Sequence, residues 1–443
     1  MSEDSQITKV IVIGGGLAGC EAAWQLAKRG CPVRLYEMKP DTFSPAHKSP
    51  DLAELVCSNS LRSNDPHSAV GLLKAEMRAL DSLIMKTADD TAVPAGKALA
   101  VDRDLFAEKI SKTMDEHPLI TIVRQEIKSL PEKSESPTIL ATGPLTADLL
   151  ADNLADFTGE KRLFFYDAIA PILFAESLDM QVIYQKSRYD DGPGDYLNCP
   201  MSQADYLRFI RELEEAEFTK LHEFEDAKYF EGCLPIEVMR SRGDDTLRFG
   251  PMKPVGLEDP KTAKIPHAVV QLRKENKAGS LYNMVGFQTK LTIAEQKRIF
   301  RLIPGLQQAE FARFGSIHRN TFICAPEILN PTLQTKNRPD LLIAGQLSGV
   351  EGYVESTAMG MLAGINAFRL WSKQETIAPP VDTALGGLIS HLTESSAKHF
   401  QPSNVNFGLF PAWEKKVPKR QRGQVRADRS LKALKQWTIL HQI

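Results

Sequence analysis

No two cysteines of this 443-residue chain are close enough in sequence to form a CxxC pair. The six, Cys20, Cys31, Cys57, Cys199, Cys233 and Cys324, are scattered, which argues against a disulfide framework or a structural zinc site and for a reducing cytoplasm. His47, His67 and His318 also lack ligand spacing, so no metal is expected. No apolar run approaches the ~20 residues of a membrane span, and the polar start, Met1 to Lys9, does not read as a secretion signal. The net charge of −2 gives no global field to attract nucleic acid, so any RNA contact must come from local patches. With 42% hydrophobic and 25% charged residues, the composition is that of a globular protein with a large core.

The opening segment is the most structured part of this reading. Lys9 to Ile13 (KVIVI) is a β-branched run suited to a buried parallel strand. Gly14-Gly15-Gly16-Leu17-Ala18-Gly19 follows at once, then a helical pattern from Cys20 to Arg29. Gly30 closes that helix, and a second strand, Pro32 to Tyr36, ends at Glu37. In a dinucleotide-binding βαβ unit Gly14 makes the tight turn, Gly16 lets a pyrophosphate approach the backbone and Gly19 lets helix and strand pack closely. The helix N-terminus offers free N–H groups to phosphate, and Glu37 is placed to accept from the adenosine ribose. The competing reading, a ligand-free glycine turn, does not account for strand, helix and acid at the right spacing.

The motif alone does not separate NAD from FAD; two distant segments favour FAD. Pro137 to Gly143 (PTILATG) has the form of the second chain crossing of two-dinucleotide-binding flavoproteins. Asp340 to Gly345 is another buried strand, followed by Gln346, Gly349, Glu351 and Gly352 and a small-residue helix from about Glu355 to Leu370. That element is similar to the C-terminal flavin-binding element of the same class, although an ordinary βα unit would look alike. The fold class is therefore α/β: a Rossmann-like FAD-binding domain from residues 1–162 and 315–443, with an inserted α+β domain over 163–314. Within the insert Phe164–Glu176, Gln181–Tyr189, His267–Arg273 and Ser280–Gly286 read as strands, and Ser202–Glu217 as an amphipathic helix capped by Ser202.

Two cysteine neighbourhoods could carry chemistry. Cys57 lies in AELVCSNSLR, with Arg62 downstream, and Cys233 in YFEGCLPIE, ahead of Arg240, Arg242 and Arg248. A nearby cation lowers a thiol pKa, but a free cysteine is more often buried and inert. Cys20 and Cys31 read as packing residues. Toward the end of the chain, within a basic segment over 411–443, residues 415–435 hold nine Lys or Arg and one acid, Asp428. Such a run can track a phosphate backbone or form a solvated helix face.

Beyond these patterns the chain is similar to the family of folate- and FAD-dependent tRNA (uracil-5-)-methyltransferases, TrmFO. The resemblance includes GGGLAGCEAAWQLAKRG (14–30), LVCSNSLRS (55–63), GLLKAEMR (71–78), ALAVDRDLF (98–106), DAIAPI (167–172) and YFEGCLPIE (229–237). It continues through DTLRFGPMKPVGL (245–257), VQLRKEN (270–276), LYNMVGFQT (281–289), EQKRIFRLIPGL (295–306), HRNTFI (318–323) and GQLSGVEGYVES (345–356).

The resemblance implies methylation of the T-loop uridine of tRNA at C5, with 5,10-methylenetetrahydrofolate as carbon donor and FAD reduced by NADPH or NADH. It makes Cys233 and Cys57 the catalytic cysteines, without settling which does what. FAD would be held by Gly14, Gly15, Gly16, Leu17, Ala18, Gly19, Glu37, Gly143, Gly345, Gln346, Gly349, Glu351 and Gly352. Arg242, Arg248, Lys253, Lys415, Lys416, Lys419 and Arg420 would meet RNA or substrate; neither DNA nor a membrane is an expected partner. Three positions depart from the family pattern: Lys97, Arg240 and Cys324-Ala325-Pro326. The rivals are the larger flavoprotein acting on the tRNA wobble uridine, a small-molecule flavin oxidoreductase, and a non-catalytic RNA-binding flavoprotein.

Overall fold

The structure is a computed structural model that describes residues 9–159, 163–188, 194–219, 234–413 and 416–443. Cys233 and Lys415 lie outside them. A five-stranded parallel sheet runs in the order Leu341–Ile343, Thr138–Leu140, Val10–Ile13, Val33–Glu37, Ile120–Arg124. Both late strands predicted from sequence thus join the opening unit in one sheet. The first helix, Leu17–Ala27, lies against the long helix Tyr353–Trp371. Small residues allow this: a Cβ on Gly360 would fall 2.1 Å from the Ala18 carbonyl oxygen, and one on Gly364 would fall 2.6 Å from that of Ala22.

A six-stranded sheet, Tyr184–Gln185, Tyr196–Met201, Ala268–Lys274, Leu281–Met284, Ile172–Phe174 and Phe311–Arg313, is antiparallel throughout. Helix Gln203–Glu214 covers it, burying Tyr206, Phe209, Ile210 and Leu213. Its start is a capping box: Ser202 Oγ accepts from Asp205 N at 3.2 Å while Ser202 N–H donates to Asp205 Oδ2 at 3.1 Å. Among the described residues two large apolar cores result, beside a small cluster of Val93, Ala95 and Ala100. One gathers residues of the segments 10–154 and 322–437, the other residues between Leu173 and Ala309. An antiparallel ribbon, Leu163–Ile169 against Ser316–Phe322, runs between them.

Two strand expectations change. Phe164–Glu176 is not continuous: the chain leaves the ribbon after Ile169 and enters the six-stranded sheet at Ile172, bending at Pro171, which has no N–H for a ladder. Residues Ala175–Ser177 then form a 3₁₀ turn. Of Gln181–Tyr189 only Tyr184–Gln185 pairs, at a sheet edge, because the N–H groups of Val182 and Ile183 turn back to the Asp179 carbonyl; Tyr189 lies outside the described residues.

Candidate active site: a dinucleotide groove opening into a cysteine-bearing cleft

The glycine loop sits where the sheet meets the first helix. Gly14 adopts φ +104° and its N–H donates to the Tyr36 carbonyl at 2.8 Å, closing the turn. The Gly15 N–H donates to Glu37 Oε2 at 2.8 Å, and the Lys39 N–H to Glu37 Oε1 at 3.0 Å, so the acid is fixed at the end of its strand. A Cβ on Gly19 would lie 1.8 Å from the Gly14 carbonyl oxygen, whereas one on Gly16 would meet nothing within 4 Å. Gly19 therefore serves helix–strand contact, and Gly16 leaves open space. The helix beginning after Gly16 has no side-chain cap. An uncapped helix start over an open cradle, with a fixed carboxylate opposite, fits the pyrophosphate and ribose of an adenine dinucleotide.

Gly14, Gly15, Gly16, Leu17, Ala18, Glu37, Gly143, Gly345 and Gln346 all line this groove. A second cleft adjoins it, with Val56, Pro144, Leu145, Gln346 and Tyr353 on the walls of both. Glu351, Gly352 and Cys57 line the second cleft. Two expected residues line neither: Gly19, for the reason above, and Gly349, whose Cβ would lie 2.5 Å from the Phe400 ring.

Cys57 stands in a loop held from three directions. The Tyr353 hydroxyl accepts the N–H of Cys57 at 2.6 Å and of Ser58 at 3.1 Å. Arg273, from the antiparallel sheet, donates to Ser58 Oγ at 2.8 Å and Asn59 Oδ1 at 3.0 Å. Arg103 donates to the Leu55 carbonyl at 2.6 Å and pairs with Glu275 at 2.7 Å. The Cys57 thiol lies 3.9 Å from the Ala168 carbonyl oxygen. Burial pushes the Tyr353 phenol above its ordinary range, so it stays neutral with a proton to donate. Burial, with the Arg313 charge, lowers His318 to about 4, so a neutral imidazole lines the cleft.

The cations expected near the cysteines are placed otherwise. Arg62 lines the cleft but pairs with the buried Glu355, which also accepts from Val405 N at 2.9 Å; the guanidinium groups tied to the Cys57 loop are Arg103 and Arg273. Arg248, in the helical turn Thr246–Phe249, is tied to the His267 carbonyl at 3.0 Å and to Asp245 at 2.9 Å; Arg242 caps helix Ile236–Ser241, Lys253 follows the turn, and none of the three lines the cleft. Lys416, Lys419 and Arg420 are exposed, ahead of helix Arg422–His441. The three departures are accommodated: Lys97 is exposed in a turn, Arg240 pairs with Glu214 at 2.5 Å, and Cys324 is buried with its thiol 3.8 Å from the Ala397 carbonyl. Among the described residues no group of His, Cys, Asp or Glu could hold a metal ion, and no helix is long and apolar enough to cross a membrane.

Sequence reasoning missed Tyr353, Arg103 and Arg273. The last two stand in the ALAVDRDLF and VQLRKEN stretches; for Arg273 an arginine inside an otherwise apolar strand was the available signal, whereas Arg103 opens helix Arg103–Asp115 and no local pattern marks it.

These features define an α/β protein with a flavoprotein-type dinucleotide groove. The chain matches the family model described as Glucose inhibited division protein A over residues 9–375. It superposes on a structure of Aquifex aeolicus GidA with a TM-score of 0.71 at 18% identity, covering 98% of this chain and 75% of that one. It is 67% identical over 439 residues to the Methylenetetrahydrofolate--tRNA-(uracil-5-)-methyltransferase TrmFO of Desulfotalea psychrophila, covering 99% of each. To its namesake in Geobacter sulfurreducens it is 56% identical over 429 residues, covering 97% of this chain and 98% of the relative. The chain belongs to the TrmFO family.

Proposed function

We propose that the chain methylates C5 of the T-loop uridine of tRNA, taking the carbon from 5,10-methylenetetrahydrofolate. The observation that carries this reading is the cleft itself: the Cys57 loop meets the dinucleotide groove through shared walls at Val56, Gln346 and Tyr353, in a chain alike over its whole length to proteins named for that reaction. FAD, reduced by NADPH or NADH, supplies the reducing equivalents that bring the one-carbon unit to a methyl group. The groove residues Gly14 to Ala18, Glu37, Gly143, Gly345 and Gln346 would hold it. The domain division we favour follows the two cores, with 1–162 and 315–443 as the FAD-binding part and 163–314 as the insert.

Uracil C5 is a poor nucleophile until a group adds at C6; a cysteine thiolate adding there makes C5 enolate-like and able to attack a one-carbon unit. By resemblance Cys233 would do this. The first residues described after it are tied to the cleft wall, with the Ile236 N–H donating to the Gln288 carbonyl at 2.8 Å. Cys57, fixed by Tyr353 on the flavin-facing side, would handle a proton or shield the one-carbon unit. A base inside a stacked T-loop must be turned out to reach such a cleft. The exposed cations Lys416, Lys419 and Arg420 are our candidates for backbone contact, in the cytoplasm where tRNA is found.

Purified protein should be yellow, and with NADPH, methylenetetrahydrofolate and tRNA lacking 5-methyluridine it should form that base. A methyl group drawn from S-adenosylmethionine would refute the reading. Cys233→Ala should abolish turnover while retaining FAD, and full activity would remove Cys233 from the mechanism.

A further inference from the structure

Buried side-chain polar atoms without a hydrogen-bond partner are few among the described residues: Arg240 Nε, Glu275 Oε1, Trp437 Nε1 and the carboxamide nitrogens of Asn283 and Asn320. Folded proteins satisfy nearly all such groups, and a buried donor left unpaired is costly. Only the two asparagines line the cleft. Their side chains are 97–98% buried, with relative exposures of 3% and 2%.

They approach from different walls. Asn283 lies on strand Leu281–Met284, directly opposite Arg273 in the antiparallel pair. Opposed residues of such a pair share one face of the sheet, and Arg273 reaches from that face to Ser58, next to Cys57. Asn283 therefore belongs to the wall that faces the cysteine loop. Asn320 lies on strand Ser316–Phe322; its neighbour Thr321 donates to the Pro144 carbonyl at 2.8 Å, and Pro144 lines both groove and cleft. Asn320 therefore enters the cleft from the ribbon, beside the wall that cleft and groove share at Pro144.

A carboxamide offers one N–H donor face and one carbonyl acceptor. The complementary group on a planar heterocycle is a lactam, a ring C=O beside a ring N–H. We propose that Asn283 and Asn320 bind the lactam edge of a heterocycle that enters this cleft, each unpaired nitrogen donating to a ring carbonyl. The inference rests on the function proposed above, which brings two substrates with a lactam ring here, the target uracil and the pterin of the folate, beside a flavin whose own ring carries the same edge in the adjoining groove. Reading a lactam edge would also reject cytosine, which presents an amino group where uracil has a carbonyl.

The test uses FAD-loaded enzyme carrying Asn283→Leu or Asn320→Leu, which keep side-chain size and remove the donor. Asn283→Asp and Asn320→Asp, polar and of the same shape, remove the donor too and cover the case in which a leucine variant does not fold. Tetrahydrofolate affinity is read from the flavin absorbance change, and kcat/KM is measured with tRNA. Loss of one charge-free hydrogen bond should cost roughly tenfold. A tenfold loss of tetrahydrofolate affinity assigns the residue to the pterin. An unchanged folate affinity with a tenfold fall in kcat/KM for tRNA assigns it to the uracil, and either result supports the proposal. Variants that keep FAD and hold both constants within twofold of wild type overturn it, and so does a folded variant that loses FAD, since the nitrogen would then serve the flavin and not a substrate. If wild-type enzyme forms no 5-methyluridine yet its tetrahydrofolate affinity depends on either asparagine, the proposed function fails while the lactam assignment stands.

Discussion

The Tyr353 hydroxyl, at the first turn of helix Tyr353–Trp371, accepts the backbone N–H of Cys57, 296 residues earlier, at 2.6 Å. One phenol thus fixes the cysteine loop to the helix that borders the cofactor groove. Tyr353→Phe removes the acceptor and leaves the N–H groups of Cys57 and Ser58 unpaired, at a cost of about 1–3 kcal/mol confined to that loop. We expect FAD to be retained, the Cys57 thiol to react several-fold faster with a thiol reagent, and turnover to fall. An unchanged Cys57 modification rate would show that the loop is held by Arg273 and Arg103 alone.

The glycine loop separates cofactor binding from folding. Gly16→Ala places a methyl group in open space, so the apoprotein should lose less than about 1 kcal/mol. The same methyl would narrow the cradle, and the purified variant should be colourless. Gly19→Ala must displace the helix from the Gly14 carbonyl, and overpacking of that kind costs about 1–3 kcal/mol. Thermal melts of the two apoproteins, beside flavin absorbance of the two preparations, distinguish the roles; a yellow Gly16→Ala protein would contradict ours.

The contrast between these two relationships shows what was legible in the sequence. The strand, glycine loop, helix and Glu37 span under 30 residues, and each position is dictated by its neighbours, so the unit reads directly. Ser202 and Asp205, three apart, likewise announce the insert's helix. The clamp on Cys57 is built from Arg103, Arg273 and Tyr353, whose approach depends on how sheets pair across the insert, and no local pattern carries it. The break at Pro171 is masked in the sequence by its apolar flanks, Ile169, Ala170, Ile172 and Leu173, which continue the pattern of a buried strand on either side. Arg62, the nearest cation in sequence to Cys57, is turned away by a left-handed backbone, φ +62°, toward Glu355.

Acid and base should shift stability through Glu76. Its buried carboxylate accepts the N–H groups of Ala384 at 2.6 Å and Leu385 at 2.9 Å, at the start of helix Ala384–Glu394, and the Ser430 hydroxyl of the last helix. Burial raises its pKa to about 7, with those hydrogen bonds opposing the rise. Between about 4.5 and 7 the folded chain therefore holds a proton that the unfolded chain has lost. The stability from this group is present in full below that window and is lost as pH rises through 7, at roughly 1.4 kcal/mol per pH unit. Glu76→Gln should flatten the fall of the melting temperature between pH 5.5 and 7.5 relative to wild type. Parallel curves for the two proteins would mean that Glu76 titrates in its ordinary range.

The basic run near the C-terminus contains two kinds of cation. Arg426 lies over the Trp413 ring, 4.2 Å from its centre, and near Phe407 and Phe410, so it is part of how the last helix is attached. Lys416, Lys419 and Arg420 are exposed and precede that helix. Replacing these three with alanine should leave the melting temperature within about 1 °C, since surface substitutions are usually within ±0.5 kcal/mol. If they contact the tRNA backbone, affinity should fall, and the slope of log affinity against log salt should shrink by about 0.7–0.9 for each phosphate contact removed. Arg426→Ala should do the reverse, lowering the melting temperature through lost stacking while changing the salt slope little. An unchanged slope in the triple variant would make the run a solvated face and move the RNA-binding surface elsewhere on the protein.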